Sequence, residues 1–543
     1  MGVDPSLLTR KDFLAAVAAW SLCPSIPAQE TQSDPTSADM EAYERLVGLE
    51  FTPQQRELAG RSVAQTRRAI RQLRDRDLAN SIEPPLVFTP RPGGDSKKSR
   101  DLAASPLRST RDAPPDRLLD LPVRQLASLL RSKKVSSTEL TRLALTRLRT
   151  VGAQLNCVVT LTEELALAEA ASADQELASG KARGLLHGIP YGVKDLFAVK
   201  GYRTTWGAEA FKDQVVDLDA TVVERLRSAG AVLCAKLSCG ALAYDDVWFG
   251  GQTKNPWNLS QGSSGSSAGS ASAMAAGLVG FTIGTETLGS IVSPSVRCRT
   301  TGLRPSYGRV SRHGGMVLSW TMDKVGPICR SAEDCGIVFA AIHGRDPLDP
   351  TSVDRPFDWR PGASLKGLKV GVLAEDMDQD WRPKLERLVG SVSPVKLTPP
   401  PMEYLAVLTV EAASAFEPLI RDSRIDQIGK LWPPEFLAAR YYPAVEYLRA
   451  QQARAQMMSV YARETAEFDV LVAEGSGSNQ LITTNGTGHP QVVIPWGTDS
   501  RGGPRSVSFF GRMDGEAALL TVAQSLQETA EFHRQMPQVA HSS

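Results

Sequence analysis

Two segments of the chain contain the side chains that could do chemistry. One is an apolar segment with a single lysine, and the other, further along the chain, is rich in serine. The segment GIPYGVKDLF places Lys194 among apolar residues, and residues 262–295 read GSSGSSAGSASAMAAGLVGFTIGTETLGSIVSPS. Burial lowers the pKa of an amine from about 10.4 toward neutrality, and a neutral amine is a competent general base. Because a serine hydroxyl is a weak nucleophile until a base takes its proton, the pattern indicates nucleophilic catalysis by serine.

A histidine is the other base that such a serine could use. None of the six histidines is close to Ser290 in sequence: His187, His313, His343, His489, His533 and His541. Distance along the sequence does not stop a histidine from approaching the serine in the folded chain. The residues alone therefore leave the choice of base open, although His187 and His313 are interpreted as turn or core residues.

The glycine- and serine-rich segment is not typical of a flexible linker. Linkers of this composition are polar throughout and join two independent units, whereas this segment continues into ASAMAAGLVG. Such small, apolar residues favour a tightly packed, buried helix. The following GFTIGTETLGS reads as a strand that ends in a turn, whose backbone N–H groups could point into a cleft.

The chain resembles the amidase signature family through six motifs that occur in that family's order: GIPYGVKD, TKNPWN, GSSGSSAGSASAMAAG, GTETLGSIVSPS, GLRPSYGRVSRHG and MDKVGPICR. The resemblance is dense from about Leu118 to about Arg330 and continues more weakly through GHPQVVIPWG and SVSFFGR. It implies an α/β fold in which a single large mixed β-sheet is covered by helices.

The resemblance also implies a catalytic triad of a serine nucleophile, a bridging serine that follows a cis peptide bond, and a lysine. The lysine of the VKD motif is Lys194, and the nucleophile at the end of the glycine-rich turn is Ser290. The bridging serine falls on Ser266, 24 residues before the nucleophile, and Ser267 is the alternative by one position.

In the implied mechanism, neutral Lys194 accepts the proton of Ser266 while Ser266 accepts that of Ser290, which attacks an amide carbonyl. Four backbone N–H groups hold the resulting oxyanion: those of Thr287, Leu288, Gly289 and Ser290. Such donors stabilise the transition state because they are aimed in advance at the developing charge. The proton then returns to the leaving amine through the bridging serine, and water releases the acyl group.

Three positions of the nucleophile turn depart from the family's pattern. Leu288 occupies the place of a common second glycine, so a positive φ there would strain the backbone. Glu286 stands for the common aspartate, and Val292 stands for an arginine that is usual two residues after the serine. These changes predict that the usual side-chain brace of the turn is altered. Three further matches to the family are interpreted as structural: Asp195, Tyr307 and Asp323.

The elements that must position these residues alternate between helix and strand patterns. Ser136 and Glu139 predict a capping box ahead of a Leu-rich helix, and DATVVERLRSAG predicts a helix before the buried strand GAVLCAKL. Further strands are predicted at LKVGVL, FDVLVA and QVVIPWG, and a last helix near residues 515–530. This alternation indicates a mainly parallel or mixed α/β sheet layered by helices.

We expect the sequence to divide into three parts: an export signal (1–30), a helical and extended N-terminal extension (31–117) and an amidase domain (118–543). The core motifs of the amidase domain lie at 185–330. Residues 376–465, which are polar and interrupted by prolines, are interpreted as a helical cap or insertion on this core.

The start of the chain has the order of residues that is typical of a signal peptide. Arg10 and Lys11 precede an apolar run from Phe13 to Leu22, and small residues follow near Ala28. The segment TRKDFL resembles a twin-arginine export signal with lysine in the second place. We therefore expect an exported, periplasmic protein, and a short amphipathic helix in a cytoplasmic protein is the alternative.

Composition gives no reason to expect a nucleic-acid partner, a disulfide framework or a structural zinc. The 543 residues carry 61 lysines and arginines against 60 aspartates and glutamates, a net charge of +1. The seven cysteines are odd in number and show no CxxC or Cys/His ligand spacing. After the N-terminal run, no stretch has the roughly 18 apolar residues of a membrane span. We expect no metal, no cofactor, no stable membrane insertion, and a monomer or homodimer.

The predicted function is hydrolysis of a linear amide C–N bond in a small-molecule carboxamide, or of an ester or carbamate. Two alternatives stay open. The amidase subunit of a tRNA-dependent amidotransferase would need partner subunits and would work with cytoplasmic tRNA, so the predicted export signal argues against it. A non-catalytic binding protein with the amidase fold is disfavoured by the intact Lys194, Ser266 and Ser290, whereas Leu288 and Val292 leave room for it.

Overall fold

The computed structural model describes most of the chain: residues 36–48, 52–53, 113–439, 442–477 and 479–541. The chain divides into two units, Met1–Leu78 and Ala79–Ser543. In the first unit the described residues contain helix α1 (Ser37–Val47), which begins at a capping box between Thr36 and Asp39. The predicted export signal lies outside the described residues, as does most of the predicted N-terminal extension.

A mixed sheet of eleven strands forms the centre of the second unit. In chain order the strands are β1 (Val158–Leu161), β2 (Pro190–Lys194), β3 (Val232–Leu237), β4 (Phe281–Glu286), β5 (Thr301–Arg304), β6 (Lys324–Cys329), β7 (Val370–Leu373), β8 (Val392–Val395), β9 (Val470–Glu474), β10 (Gln491–Thr498) and β11 (Pro504–Gly511). Their order across the sheet is β1-β3-β2-β4-β6-β5-β10-β11-β9-β7-β8. The pairs β2–β3, β2–β4, β7–β8 and β7–β9 are parallel, and the other pairs are antiparallel.

Helices cover this sheet. Among the described residues of the second unit they are α2 (Val123–Arg131), α3 (Ser137–Gln154), α4 (Glu163–Ala178), α5 (Thr221–Ser228), α6 (Ala268–Ala275), α7 (Val292–Cys298), α8 (Ala332–Ile342), α9 (Arg382–Val389), α10 (Ala406–Ala415), α11 (Glu417–Arg421), α12 (Trp432–Ala439), α13 (Ala444–Glu464), α14 (Asn479–Thr487) and α15 (Glu516–Glu528). One apolar cluster joins α2, α3, α5, α8 and α15 to the strands. The predicted α/β fold with a single large mixed sheet covered by helices is confirmed.

Short elements complete the described part of the second unit. Its 3-10 helices are Pro115–Asp120, Glu209–Phe211, Ala241–Ala243, Ala374–Asp376, Met402–Leu405, Ile425–Ile428, Phe532–Arg534 and Gln538–His541. Two small antiparallel ribbons pair Val247–Trp248 with Gly251–Gln252 and Lys254–Asn255 with Asn258–Gly262. No helix of the described segments has the length and apolar character needed to cross a membrane.

Local sequence signals account for the elements around β2. The side chain of Ser136 accepts a hydrogen bond from the backbone of Glu139, and the Glu139 carboxylate accepts one from the backbone of Ser136, so the predicted capping box is present at the start of α3. All six residues of β3 are buried. This strand is the predicted GAVLCAKL segment, and it is largely apolar because it lies inside the sheet.

The segment 376–465, predicted as a helical cap, also contributes a strand to the sheet. It contains α9 to α13, and it includes β8, which pairs in parallel with β7 at the edge of the sheet. Pro394 is tolerated in β8 because a proline, which lacks an N–H group, can occupy the open side of an edge strand. The purely helical description of this segment was therefore incomplete.

The strand directions bring the predicted chemistry to one edge of the sheet. Strand β2 is parallel to β4, with Tyr191 opposite Phe281 and Val193 opposite Ile283. Lys194 is the last residue of β2, and the nucleophile turn follows directly after β4. Because the carboxyl ends of parallel strands meet at the same edge, the lysine and this turn lie close together.

Candidate active site

Lys194 lies at the end of β2 and is completely buried. Its Nζ atom is 2.8 Å from Ser266 Oγ and 2.8 Å from Thr285 Oγ1. The next residue, Asp195, forms a buried ion pair with Lys236 on β3, whose charged atoms are 2.7 Å apart. The lysine amine is therefore held between two hydroxyl groups and has little freedom to move.

Burial changes the acidity of this amine. It lowers the pKa of Lys194 from 10.5 to about 8, and the nearby carboxylates of Asp323 and Glu286 oppose only part of that shift. A lysine in this state is neutral in a substantial fraction of molecules near physiological pH. It can therefore accept a proton from a neighbouring hydroxyl group.

The two serines that compete for the bridging position make different contacts. Ser266 follows a cis peptide bond from Gly265, and its Oγ contacts the Lys194 amine. Ser267 instead bonds the backbone of Thr285 in both directions: its Oγ donates to the carbonyl at 3.1 Å and accepts from the N–H at 3.2 Å. The geometry gives Ser266 access to the amine and gives Ser267 a position that ties the serine loop to β4.

The serine loop also contacts the nucleophile turn. The backbone N–H of Ser267 donates to the carbonyl of Ser290 at 3.0 Å. In the serine loop, position 265 requires glycine, because a Cβ atom there would lie 1.8 Å from the backbone oxygen of Asp245. The structure thus brings Lys194, Ser266 and the turn that carries Ser290 into one buried region.

The nucleophile turn, residues 287–290, connects β4 to α7. Within this turn the positive φ falls on Gly289, at 97°, and not on Leu288. The strain that the sequence suggested for a leucine at position 288 is therefore absent. The Leu288 side chain is partly buried and packs against the apolar cluster of Met322, Tyr404 and Val407. Ser290 is buried, with 9% of its surface exposed.

Two carboxylates anchor the turn: Asp323, which was interpreted as structural, and Glu286, which was expected to alter the brace of the turn. Asp323 accepts a hydrogen bond of 2.6 Å from Thr287 Oγ1 at the start of the turn. Glu286 Oε2 accepts the backbone N–H groups of Ile291 and Val292 at 2.8 and 2.9 Å, immediately after Ser290. The sequence predicted an altered brace. In the structure a brace is present, and it is made by Glu286, whose side chain is longer than that of an aspartate.

Two of the histidines that the sequence left open as bases are engaged elsewhere. His187 Nδ1 accepts the backbone N–H of Arg183, and its ring lies 3.4 Å from the Glu176 carboxylate. His489 Nδ1 lies 2.8 Å from Thr487 Oγ1. The Lys194 amine, by contrast, directly contacts Ser266 Oγ.

No group of three or more His, Cys, Asp or Glu side chains among the described residues could hold a metal ion. Six cysteines within the described segments are free and buried: Cys157, Cys234, Cys239, Cys298, Cys329 and Cys335. The seventh, Cys23, lies outside those segments.

Comparison with known proteins shows the family of this chain. A family model described as Amidase matches residues 139–476. The chain belongs to the amidase family. It is 32% identical over 466 residues to a glutamyl-tRNA(Gln) amidotransferase subunit of Roseiflexus sp. (strain RS-1), an alignment that covers 74% of this chain and 95% of that relative. The predicted resemblance to the amidase signature family is confirmed.

Solved structures of amidase-family enzymes share the fold. The native peptide amidase from Stenotrophomonas maltophilia has a TM-score of 0.67 and 28% sequence identity, over 76% of this chain and 97% of that chain. A bacterial aryl acylamidase of the amidase signature enzymes family has a TM-score of 0.69 and 21% identity, over 78% of this chain and 99% of that chain. Family membership classes the protein with hydrolases of amide C–N bonds.

Proposed function

We propose that this amidase-family protein hydrolyses the linear C–N bond of a small-molecule carboxamide through an acyl-enzyme on Ser290. The observation that carries the proposal is the contact of 2.8 Å between the buried Lys194 amine and Ser266 Oγ, beside the turn that presents Ser290. An ester or a carbamate is an acceptable substrate for the same chemistry, because each offers a carbonyl to the serine and a leaving group that accepts a proton.

The proposed proton path runs from the nucleophile to the lysine. Neutral Lys194 takes the proton of Ser266 Oγ as Ser266 Oγ takes the proton of Ser290 Oγ. The oxygen of Ser290 then forms a bond to the substrate carbonyl carbon, and the carbonyl oxygen becomes an anion. When the C–N bond breaks, the proton held on Lys194 returns through Ser266 to the leaving nitrogen.

The proposed oxyanion site is the backbone of the nucleophile turn. The N–H groups of Thr287, Leu288, Gly289 and Ser290 are the candidate donors, and the turn is anchored at both ends by Asp323 and Glu286. A rigid donor set stabilises the tetrahedral intermediate more than water does, because the donors need no reorganisation when the charge develops. Water then attacks the acyl-enzyme by the reverse path and regenerates Ser290.

The amidase subunit of an amidotransferase is the second candidate function. The similarity to the Roseiflexus glutamyl-tRNA(Gln) amidotransferase protein, at 32% identity over most of that relative, favours it. A protein of this kind would work with partner subunits. Affinity purification of the full chain from its native host separates the two functions: stoichiometric partner subunits would favour the amidotransferase, and an active protein without partners favours the free hydrolase.

Turnover of a substrate panel tests the proposal. Purified wild-type protein is incubated with primary carboxamides, anilides, esters and carbamates, and release of ammonia, amine or alcohol is measured beside Ser290→Ala. We expect hydrolysis of at least one amide by the wild type and none by the variant. A folded wild-type protein that hydrolyses nothing and is not modified by an aryl fluorophosphonate would instead favour a non-catalytic binding protein.

We also propose that the protein is exported to the periplasm, on the basis of the signal-like order of residues at positions 10–28. Cell fractionation and N-terminal sequencing of the native protein test this. A periplasmic form cleaved near Ala28 supports export, whereas a cytoplasmic protein with an intact N-terminus would contradict it.

A further inference from the structure

The Glu286 carboxylate is extensively hydrogen-bonded behind the nucleophile turn. It is completely buried, and each of its oxygens accepts two hydrogen bonds. Oε2 accepts the backbone N–H groups of Ile291 and Val292 at 2.8 and 2.9 Å, and Oε1 accepts Arg304 Nη1 at 2.8 Å and Asn485 Nδ2 at 2.7 Å. One carboxylate therefore links the turn to two other parts of the fold.

The partners of Glu286 are themselves rigidly held. Arg304 is completely buried on β5, where Nη1 also donates to Gln491 Oε1 at 3.0 Å. Its Nη2 donates to Thr484 Oγ1 and to the carbonyl of His489, both at 2.8 Å. The guanidinium cannot move without breaking several buried hydrogen bonds, so it fixes the position of the carboxylate that it contacts.

We propose that Glu286, held by Arg304 and Asn485, is a positioning residue that sets the reactive geometry of Ser290. This inference rests on the proposed function of the same site. Position 292 is a buried valine, and the positive charge that contacts the Glu286 carboxylate comes from Arg304 on strand β5.

The charge of Glu286 suits this role. Burial alone would raise the pKa of its carboxyl group, but the Arg304 guanidinium and the hydrogen bonds from Val292 and Asn485 lower it below the ordinary value. Glu286 is therefore ionised. Its carboxylate accepts hydrogen bonds from the two backbone N–H groups that follow Ser290, and these bonds orient the turn.

If Glu286 only stabilised the fold, its removal would affect stability and not the rate at each folded site. Removing a buried carboxylate lowers stability wherever it lies, but only a positioning residue changes the rate at each correctly folded site. Glu516 provides a matched control: it is completely buried, accepts the backbone N–H of Ser306 at 2.8 Å and lies 3.6 Å from Arg309 Nε. These contacts of Glu516 are made away from the nucleophile turn.

The experiment compares Glu286→Gln, Glu286→Asp and Glu516→Gln with the wild type. The concentration of reactive Ser290 is titrated with an aryl fluorophosphonate, and kcat and KM of amide hydrolysis are expressed per titrated site. For Glu286→Gln we expect kcat to fall by roughly 10²-fold, the cost of a small misplacement of reacting groups, with KM changed less than about threefold. Glu286→Asp should retain more activity, and Glu516→Gln should keep the wild-type kcat per site.

The outcomes separate this inference from the proposed function. A wild-type protein that hydrolyses amides, together with a Glu286→Gln variant whose kcat per site is unchanged or falls no more than that of Glu516→Gln, overturns the positioning role alone. A wild-type protein with neither turnover nor labelling overturns the proposed function. If Glu286→Gln does not fold, Glu286→Asp is judged against Glu516→Asp by the same criterion, with a loss of about tenfold expected for the former alone.

Discussion

The rate of amide hydrolysis should follow the titration of Lys194. With its pKa lowered from 10.5 to about 8 by burial, about 9% of the amine is neutral at pH 7, against about 0.03% for an unshifted lysine. The neutral fraction rises from about 1% at pH 6 to about 90% at pH 9. Since only the neutral amine can act as the base, kcat/KM should rise about 90-fold between these two values and then level off.

The assay measures initial rates at substrate concentrations far below KM, from pH 5.5 to 10 at constant ionic strength, with an amide that does not titrate in this range. Under these conditions kcat/KM reports the pKa of the free enzyme. Enzyme held at each pH and then returned to pH 8 controls for unfolding. Lys194→Arg is the matched variant, because it keeps a positive charge and N–H donors but stays protonated.

Lys194→Arg should lose at least about 10²-fold in kcat/KM and should lack the rise with pH. A flat wild-type profile, an inflection near 10.5 as for an exposed lysine, or a Lys194→Arg variant with the wild-type profile would each refute the assignment of Lys194 as the base.

Three more predictions concern the serines, the turn and stability. Ser266→Ala should lower kcat by roughly 10²-fold or more, whereas Ser267→Ala, whose hydroxyl bonds the Thr285 backbone, should mainly lower the melting temperature; both are measured by kinetics and thermal unfolding. Gly289→Ala should reduce activity, since φ is 97° and the new Cβ would lie 2.9 Å from Ser293 Oγ. Lys194→Met should raise the free energy of unfolding at pH 7, by up to about 3 kcal/mol, measured by chemical denaturation.

The sign of the last prediction follows from proton binding. The folded chain loses the Lys194 proton near pH 8 and the unfolded chain near pH 10.5, so the unfolded state holds more protons between these values. Wild-type stability should therefore gain a contribution as pH rises through this window, and Lys194→Met should not show it. The serine prediction is contradicted by equal kinetic losses in Ser266→Ala and Ser267→Ala, and the turn prediction by full activity of Gly289→Ala.

Much of the sheet could be predicted because its strands carry strong local patterns. The buried strands β3 and β9, both predicted, are largely apolar runs. Strand β8 was missed because its sequence, VSPV, contains a serine and a proline and most of it is exposed or half-buried. Strand β8 belongs to the sheet because it pairs with β7. The residues of β8 alone do not predict this pairing.

The sequence motifs named the candidate site residues, but they did not reveal the residues that hold Glu286. The motifs placed Lys194, Ser266 and Ser290, and the structure brings the first two into contact. The brace of Glu286 depends on Arg304, 18 residues away, and on Asn485, 199 residues away. The sequence showed that Glu286 and Val292 were unusual, but the compensating partners became visible only in the packed structure.

Covalent trapping of the nucleophile tests the central claim most directly. Wild-type protein, Ser290→Ala and Lys194→Ala are treated with an aryl fluorophosphonate at pH 9, and the modified residue and the rate of modification are determined by mass spectrometry of peptides. We expect one adduct on Ser290 in the wild type, no adduct in Ser290→Ala, and modification slowed by roughly 10²-fold or more in Lys194→Ala. Modification of another residue, or an equal rate in Lys194→Ala, would contradict it.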